Sequence, residues 1–221
     1  MTTMAQLRTL PALLLFAALA AGWALFGPAS HHQKRQHGPG QPGVFAYYVL
    51  SLSWSPEFCH SHPESAECRS GHFGFVVHGL WPQYMDGYPE NCSSAPGLSN
   101  PASMTDIMPD RSLVAHEWAT HGTCSGLDAD AYFRLVRRAF ELVKVPASLS
   151  RPTRMFSITP QEVKQEFVGV NPRLRRENLA VSCGNNYLTG ISVCMTKQLE
   201  PQACQGLRDC RANVVRVAPV R

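Results

Sequence analysis

Two short stretches hold the residues best suited to acid–base chemistry. The first is His78-Gly79-Leu80-Trp81-Pro82, at the end of an apolar, β-rich run. The second is His116-Glu117-Trp118-Ala119-Thr120-His121-Gly122-Thr123-Cys124, which reads as a helix and its exit. A zinc-binding HExxH motif needs two histidines at i and i+4, about 40° apart around a helix. His116 and His121 are at i and i+5, about 140° apart, so a regular helix does not offer both to one metal. Glu117 and His121 do share a helical face, and a carboxylate beside an imidazole can hold and tune it. Two imidazoles suffice for a reaction with two proton transfers. Cleavage of RNA by its own 2′-hydroxyl is one: a base takes the 2′ proton, an acid protonates the departing 5′-oxygen, and fixed donors stabilise the phosphorane. His78 and His121 could form that pair if strand and helix meet. Taken alone, a strand histidine is more often a satisfied structural residue, and Trp81 and Trp118 would more often be core than base platforms.

The elements that must position these residues are legible in outline. VFAYYVLSLSW, from Val44, and HFGFVVHGLW, from His72 to Trp81, read as buried strands. Residues 82–110 are rich in Pro, Gly, Ser and Asn and read as a long loop with one helical turn. A helix fits Ser112–His121, with Ser112 at the N-cap and Gly122 as its stop. A longer amphipathic helix fits Ala131–Lys144, capped by Asp130, with Phe133, Val136, Phe140 and Val143 on one face. Thr159-Pro160-Gln161-Glu162 has the form of a capping box with proline at N1. NLAVSC, YLTGISVCM and NVVRVAPV read as three strands. Strands flanking a helical middle imply an α+β fold: a central antiparallel β-sheet flanked by helices, in a single disulfide-stabilised domain.

With 221 residues the chain fits one domain plus a tail. A formal charge of +4 permits an anionic substrate without requiring one. Arg8 precedes an apolar run from Leu10 to Phe26, and no acidic residue occurs before Glu57. Residues 1–30 therefore read as a secretory signal or an uncleaved membrane anchor, with residues 10–29 as the anchoring stretch. HHQKRQHGPGQPG, residues 31–43, reads as a flexible linker, and residues 44–221 as the catalytic domain. All eight cysteines lie beyond the apolar run, as an exported disulfide protein would have them. Spacing alone leaves about 105 pairings open. No CxxC pair is present, which disfavours structural zinc.

FVVHGLWPQ and HEWATHGTC resemble the two signature segments of the ribonuclease T2 family, in the family's order and at similar separation, and SLSWSPEFC resembles its first strand and exit. The resemblance runs from about Val44 to about Val217. It implies a metal-independent endoribonuclease that cuts single-stranded RNA to 2′,3′-cyclic phosphate and then 3′-phosphate ends. It assigns His78 as general acid, His121 as general base and Glu117 as the group that positions and stabilises the phosphorane. His116 would bind phosphate and Trp81 would stack on a base. Tyr88 and Asp86 are further candidates for the base pocket. The implied disulfides are Cys59–Cys68, Cys92–Cys124, Cys183–Cys210 and Cys194–Cys204. RNA is the expected partner, with no cofactor, no metal and no stable protein partner; a monomer exported to the periplasm or medium is the default. Two departures stand out: Thr120 occupies a position where many members carry lysine, and Gln83 one where some carry an acidic base-reading residue. A zinc hydrolase and an RNA or protein binder that cuts poorly are the competing readings.

Overall fold

The computed structural model describes residues 36–221, so the signal or anchor expected over residues 1–30 lies outside the described residues. In chain order, the elements begin with strand β1 (Gln36–Pro39) and strand β2 (Tyr47–Trp54). Helices α1 (Ser55–Ser61) and α2 (Ala66–Ser70) follow, then strands β3 (Phe75–Gln83) and β4 (Gly87–Glu90). Helices α3 (Arg111–Thr120), α4 (Ala129–Glu141) and α5 (Ala147–Ser150) make up the middle. Strand β5 (Phe156–Ile158), helix α6 (Pro160–Val170) and strands β6 (Leu179–Gly184), β7 (Tyr187–Met195) and β8 (Val215–Val217) complete the chain.

The central sheet has six strands in the order β3-β2-β7-β8-β5, with β6 pairing on β7 as well. It is mixed, not purely antiparallel: β8 joins β7 in parallel at Tyr187–Arg216. Beyond Ser53–Gly190 the edge of β7 is no longer taken up by β2, and the short β8 occupies it. A second parallel pair, β1 with β4, forms within stretches that read from sequence as linker and loop. Residues 36–39 of the expected linker are therefore strand. At its end the segment is tied down by the Gly43 amide donating to the Cys124 carbonyl (2.9 Å).

Alternation along β2 makes two faces. Tyr48, Leu50, Leu52 and Trp54 point into the main core, where Tyr132, Phe133 and Val136 of α4 and Val163 and Phe167 of α6 meet them. Each such side chain, fully buried, contributes about 1.5–3 kcal/mol. Tyr47 and Val49 point to the opposite face and form a separate small cluster with Cys194. The Thr159–Glu162 capping box forms in full, starting α6 at its Pro160. The other two helix starts differ from expectation. Asp110, not Ser112, caps α3, accepting from the Ser112 amide (2.8 Å) and hydroxyl (2.6 Å). Asp128, not Asp130, caps α4 through the Ala131 amide (2.7 Å). In both cases the earlier aspartate has extended backbone and reaches the free amides of the first turn, and the later residue is already helical.

The four disulfides are Cys59–Cys68, Cys92–Cys124, Cys183–Cys210 and Cys194–Cys204, the pairing that the family resemblance implies.

Candidate active site

His78 and Trp81 are three residues apart on β3, a spacing that puts two side chains on opposite faces of a regular strand. The pairing shows how they come to one face. Ser51 of β2 opposes Gly79 and Leu52 opposes Val77, so His78 is an extra residue on β3. A bulge of this kind re-aims a side chain without disturbing the strand beyond it. Val77 and Leu80 keep their places in the main core, and His78 turns to the face that carries Trp81, with ring centroids 5.6 Å apart.

Helix α3 covers the free edge of β3, where the approach to the helix is tied by the Val77 amide donating to the Ile107 carbonyl (2.8 Å). Val114 and Trp118 anchor the helix in the core. Glu117, one position before Trp118, is 1% exposed and reaches across to β3. Its Oε2 accepts from the Trp81 indole N–H at 2.7 Å, and its Oε1 lies 3.4 Å from His78 Nε2. The Ser53 hydroxyl sits 3.1 Å from His78 Nδ1. Both nitrogens of His78 are thus held, one by a serine on β2 and one by a carboxylate on α3, although 42% of the side chain remains open. The space for the carboxylate–indole contact exists because residue 79 is glycine: a Cβ there would lie 2.1 Å from Glu117 Oε2 and 2.5 Å from Trp81 Nε1.

The helical face expected to join Glu117 to His121 is not used in this way. Helix α3 ends at Thr120, and His121 caps it with φ −115°, off the helical track. The backbone bond from His121 N–H to the Glu117 carbonyl survives at 3.0 Å, but the carboxylate turns to β3 and the His121 ring turns to Trp81 (5.2 Å) and Tyr88 (6.2 Å). His121 Nδ1 is buried with no hydrogen-bond partner among the described residues. Burial is the main influence that lowers the His121 pKa below its ordinary value; the Glu117 carboxylate opposes it, and His116 adds to it. An imidazolium would also bury an N–H without an acceptor, so geometry and solvation both favour the neutral ring.

The last turn of α3 is clamped to β4. The Asn91 amide donates to the Thr120 carbonyl (2.8 Å), the Cys92 amide donates to the Thr123 hydroxyl (3.2 Å), and Cys92–Cys124 closes the same junction. These contacts hold Tyr88, on β4, beside His121. His116 is exposed one turn earlier on α3, across a cavity of about 280 Å³ that it lines with Ser53, Phe58, Glu67, His78 and Asp110. His78 therefore stands between two compartments, one holding Trp81, His121 and Tyr88, the other His116. Of the residues singled out in the sequence, His78, Trp81, Glu117, His121 and Tyr88 converge and His116 lies nearby. Asp86 is exposed in the turn between β3 and β4, and Gln83 is buried with its amide on the Pro82 carbonyl. Ser53 and Gly79 were not singled out. The available signal was weak: Ser51 and Ser53 are the small polar members of an otherwise apolar, alternating strand.

Comparison with known proteins identifies the family and the fold. A ribonuclease of Aeromonas hydrophila is 39% identical over 124 residues, covering 55% of this chain and 57% of that protein. A probable ribonuclease of Haemophilus influenzae is 30% identical over 178 residues, covering 72% of this chain and 61% of that protein. The chain thus spans less than two thirds of either relative's length. Among solved structures, a ribonuclease-related protein from Calystegia sepium superposes with a TM-score of 0.65 at 24% identity, covering 79% of this chain and 97% of that one. The ribonuclease from bitter gourd seeds superposes with a TM-score of 0.61 at 20% identity, covering 77% and 99%. At these identities the superpositions establish the shared fold. Residues 45–204, which include every element of the site, match the Ribonuclease T2 family, and the chain belongs to that family.

Proposed function

We propose that the protein is an endoribonuclease that cuts single-stranded RNA by transphosphorylation, with His121 as general base and His78 as general acid. One observation carries this reading: two imidazoles flank a single indole, at 5.6 and 5.2 Å, and a buried carboxylate holds that indole and one of the imidazoles. The two rings differ in environment, as an acid and a base should. His121, kept neutral by burial, takes the 2′-hydroxyl proton. The 2′-oxygen attacks phosphorus, the P–O5′ bond breaks, and a proton from His78 passes to the 5′-oxygen. The product is a 2′,3′-cyclic phosphate. Water then opens the ring with the two roles reversed, leaving a 3′-phosphate.

Glu117 orients His78 and fixes the indole N–H of Trp81, and its burial means that both anchor points are in place before substrate arrives. Trp81 offers a surface for a base to stack on, with Tyr88 beside His121, and His116 offers a donor to phosphate. Thr120 supplies no cation at the helix end, and this reading assigns the stabilising positive charge to the imidazoles. Four disulfides support an oxidising compartment outside the cytoplasm. The test is cleavage of RNA in EDTA from pH 4 to 8, beside His78→Ala and His121→Ala. Cleavage to 2′,3′-cyclic ends that both substitutions abolish is the expected result. Folded wild type that binds RNA without cutting it would overturn the reading in favour of a binder, and inhibition by EDTA would favour a metal-dependent hydrolase.

A further inference from the structure

The face of the sheet that carries Trp81 continues away from His78. Trp81 on β3, Val49 on β2 and Cys194 on β7 form one row across three adjacent strands. Cys194 is bonded to Cys204, so the chain after β7 is brought back onto this row. The return is fixed at several points. The Gln202 amide donates to the Cys194 carbonyl (3.0 Å), the Cys204 amide to the Glu177 carbonyl (2.7 Å), and the Tyr47 hydroxyl to the Gln205 carbonyl (2.6 Å). Leu207 then packs on the small cluster of Tyr47, Val49 and Cys194, the cluster on which Trp81 and Cys204 also pack. Gly206, with φ +69°, passes the turn between β3 and β4, its Cβ direction pointing to the Met85 carbonyl at 3.7 Å. The loop therefore runs from β7 to the turn between β3 and β4, over the cluster on which Trp81 packs.

We propose that the loop Cys204–Leu207 is the outer wall of a nucleobase site on Trp81, and that Leu207 is a positioning residue that sets the tilt of the indole. The inference rests on the reading of Trp81 as a base platform. The indole N–H is fixed by Glu117, but one hydrogen bond leaves a ring free to pivot. Packing on the cluster that Leu207 completes removes that freedom. Removing the Leu207 side chain opens space beside the cluster, and the indole then has to be ordered by the incoming base, which lowers affinity. His78, His121 and Glu117 are held instead by β3, α3 and the Cys92–Cys124 clamp, so binding should suffer more than turnover.

The experiment measures the dissociation constants of uridine and adenosine 5′-monophosphate by calorimetry for wild type, Leu207→Ala, Leu207→Met and Tyr47→Phe, together with KM and kcat on RNA. Leu207→Ala should weaken nucleotide binding by about fivefold or more and raise KM in parallel, with a smaller fall in kcat; Leu207→Met should restore most of the affinity. Tyr47→Phe keeps the buried ring and releases only the loop, so it should weaken binding in the same direction, and it decides the matter alone if Leu207→Ala does not fold. Unchanged affinity in the folded variants, or a fall in kcat with affinity intact, overturns the proposal, as does a folded wild type that binds neither nucleotide. Wild type that binds nucleotides without cutting RNA removes the catalytic reading but leaves this one standing if the variants still lose affinity.

Discussion

Replacing Gly79 with alanine adds one methyl group at the most crowded point of the site. The new carbon would sit 2.1 Å from Glu117 Oε2 and 2.5 Å from Trp81 Nε1, the two atoms joined by the 2.7 Å hydrogen bond. Ordinary contact begins near 3.4 Å, so carboxylate and indole must both retreat, the carboxylate by more than an ångström. Glu117 is 1% exposed and has no solvent to retreat into. Parting it from the indole forfeits a hydrogen bond to a charged group, about 1.5–3 kcal/mol, and leaves the carboxylate partly unpaired. The same shift draws Oε1 away from His78. A misplacement of about 1 Å in a catalytic group costs on the order of a hundredfold in rate. Gly79→Ala should therefore lower kcat on RNA about a hundredfold and lower Tm by several degrees, while all four disulfides form. Thermal unfolding and steady-state cleavage of one RNA substrate measure both. A variant within threefold of wild type in kcat, with Tm preserved, would refute the account of Glu117 as a rigid bridge between indole and imidazole.

The pH profile tests the environment of His121. Its pKa is lowered chiefly by burial, so the acid limb of kcat/KM should fall below the ordinary imidazole range; Glu117→Gln should move this limb to lower pH, and His116→Ala should move it higher, because the carboxylate raises the His121 pKa and the second imidazole lowers it. Shifts of the same sign in both variants would contradict this. The same lowered pKa means the unfolded chain binds more protons, so stability should decline as pH falls from the ordinary imidazole value through that of the folded state, as denaturant melts at stepped pH will show. Opening Cys92–Cys124, whose cysteines are 32 residues apart, should cost about 4 kcal/mol and depress kcat by loosening the α3–β4 junction. Opening Cys194–Cys204, whose cysteines are 10 residues apart, should cost about 3 kcal/mol and act mainly on KM; Cys-to-Ser pairs assayed for Tm, KM and kcat separate the two. Thr120→Lys should raise kcat about tenfold by adding a cation near the phosphorane, and an unchanged or lower kcat would show that the imidazoles already suffice.

Parts of this arrangement could be read from local sequence because local physics controls them. The β-rich run VFAYYVLSLSW marks a buried strand, the spacing of Phe133, Val136 and Phe140 marks an amphipathic helix, and Thr159 with Glu162 satisfies the first-turn amides of α6 on its own. Caps that depend on which aspartate has extended backbone were misplaced by two residues in both α3 and α4. The short strands β4 and β5 were missed because their stability comes from a partner, and neither carries a clear pattern of its own.

By itself, the sequence determined the inventory of the candidate site: two histidines, a glutamate and a tryptophan in two stretches, with enough pattern to mark the flanking strands and helix. Only the tertiary structure decided how they meet. The His78 bulge is a relation between β3 and β2 and has no signature within β3. Glu117 could have turned to His121, its helical neighbour, and turned instead to β3, since the helix ends one residue too early and Gly79 leaves room on the strand. The loop at Leu207 reaches the Trp81 face through a bond between Tyr47 and Gln205, 158 residues apart. Periodicity and capping act over a turn or two of chain. Register, edge packing and loop return are settled by burial and hydrogen bonding between segments whose separation no local pattern records.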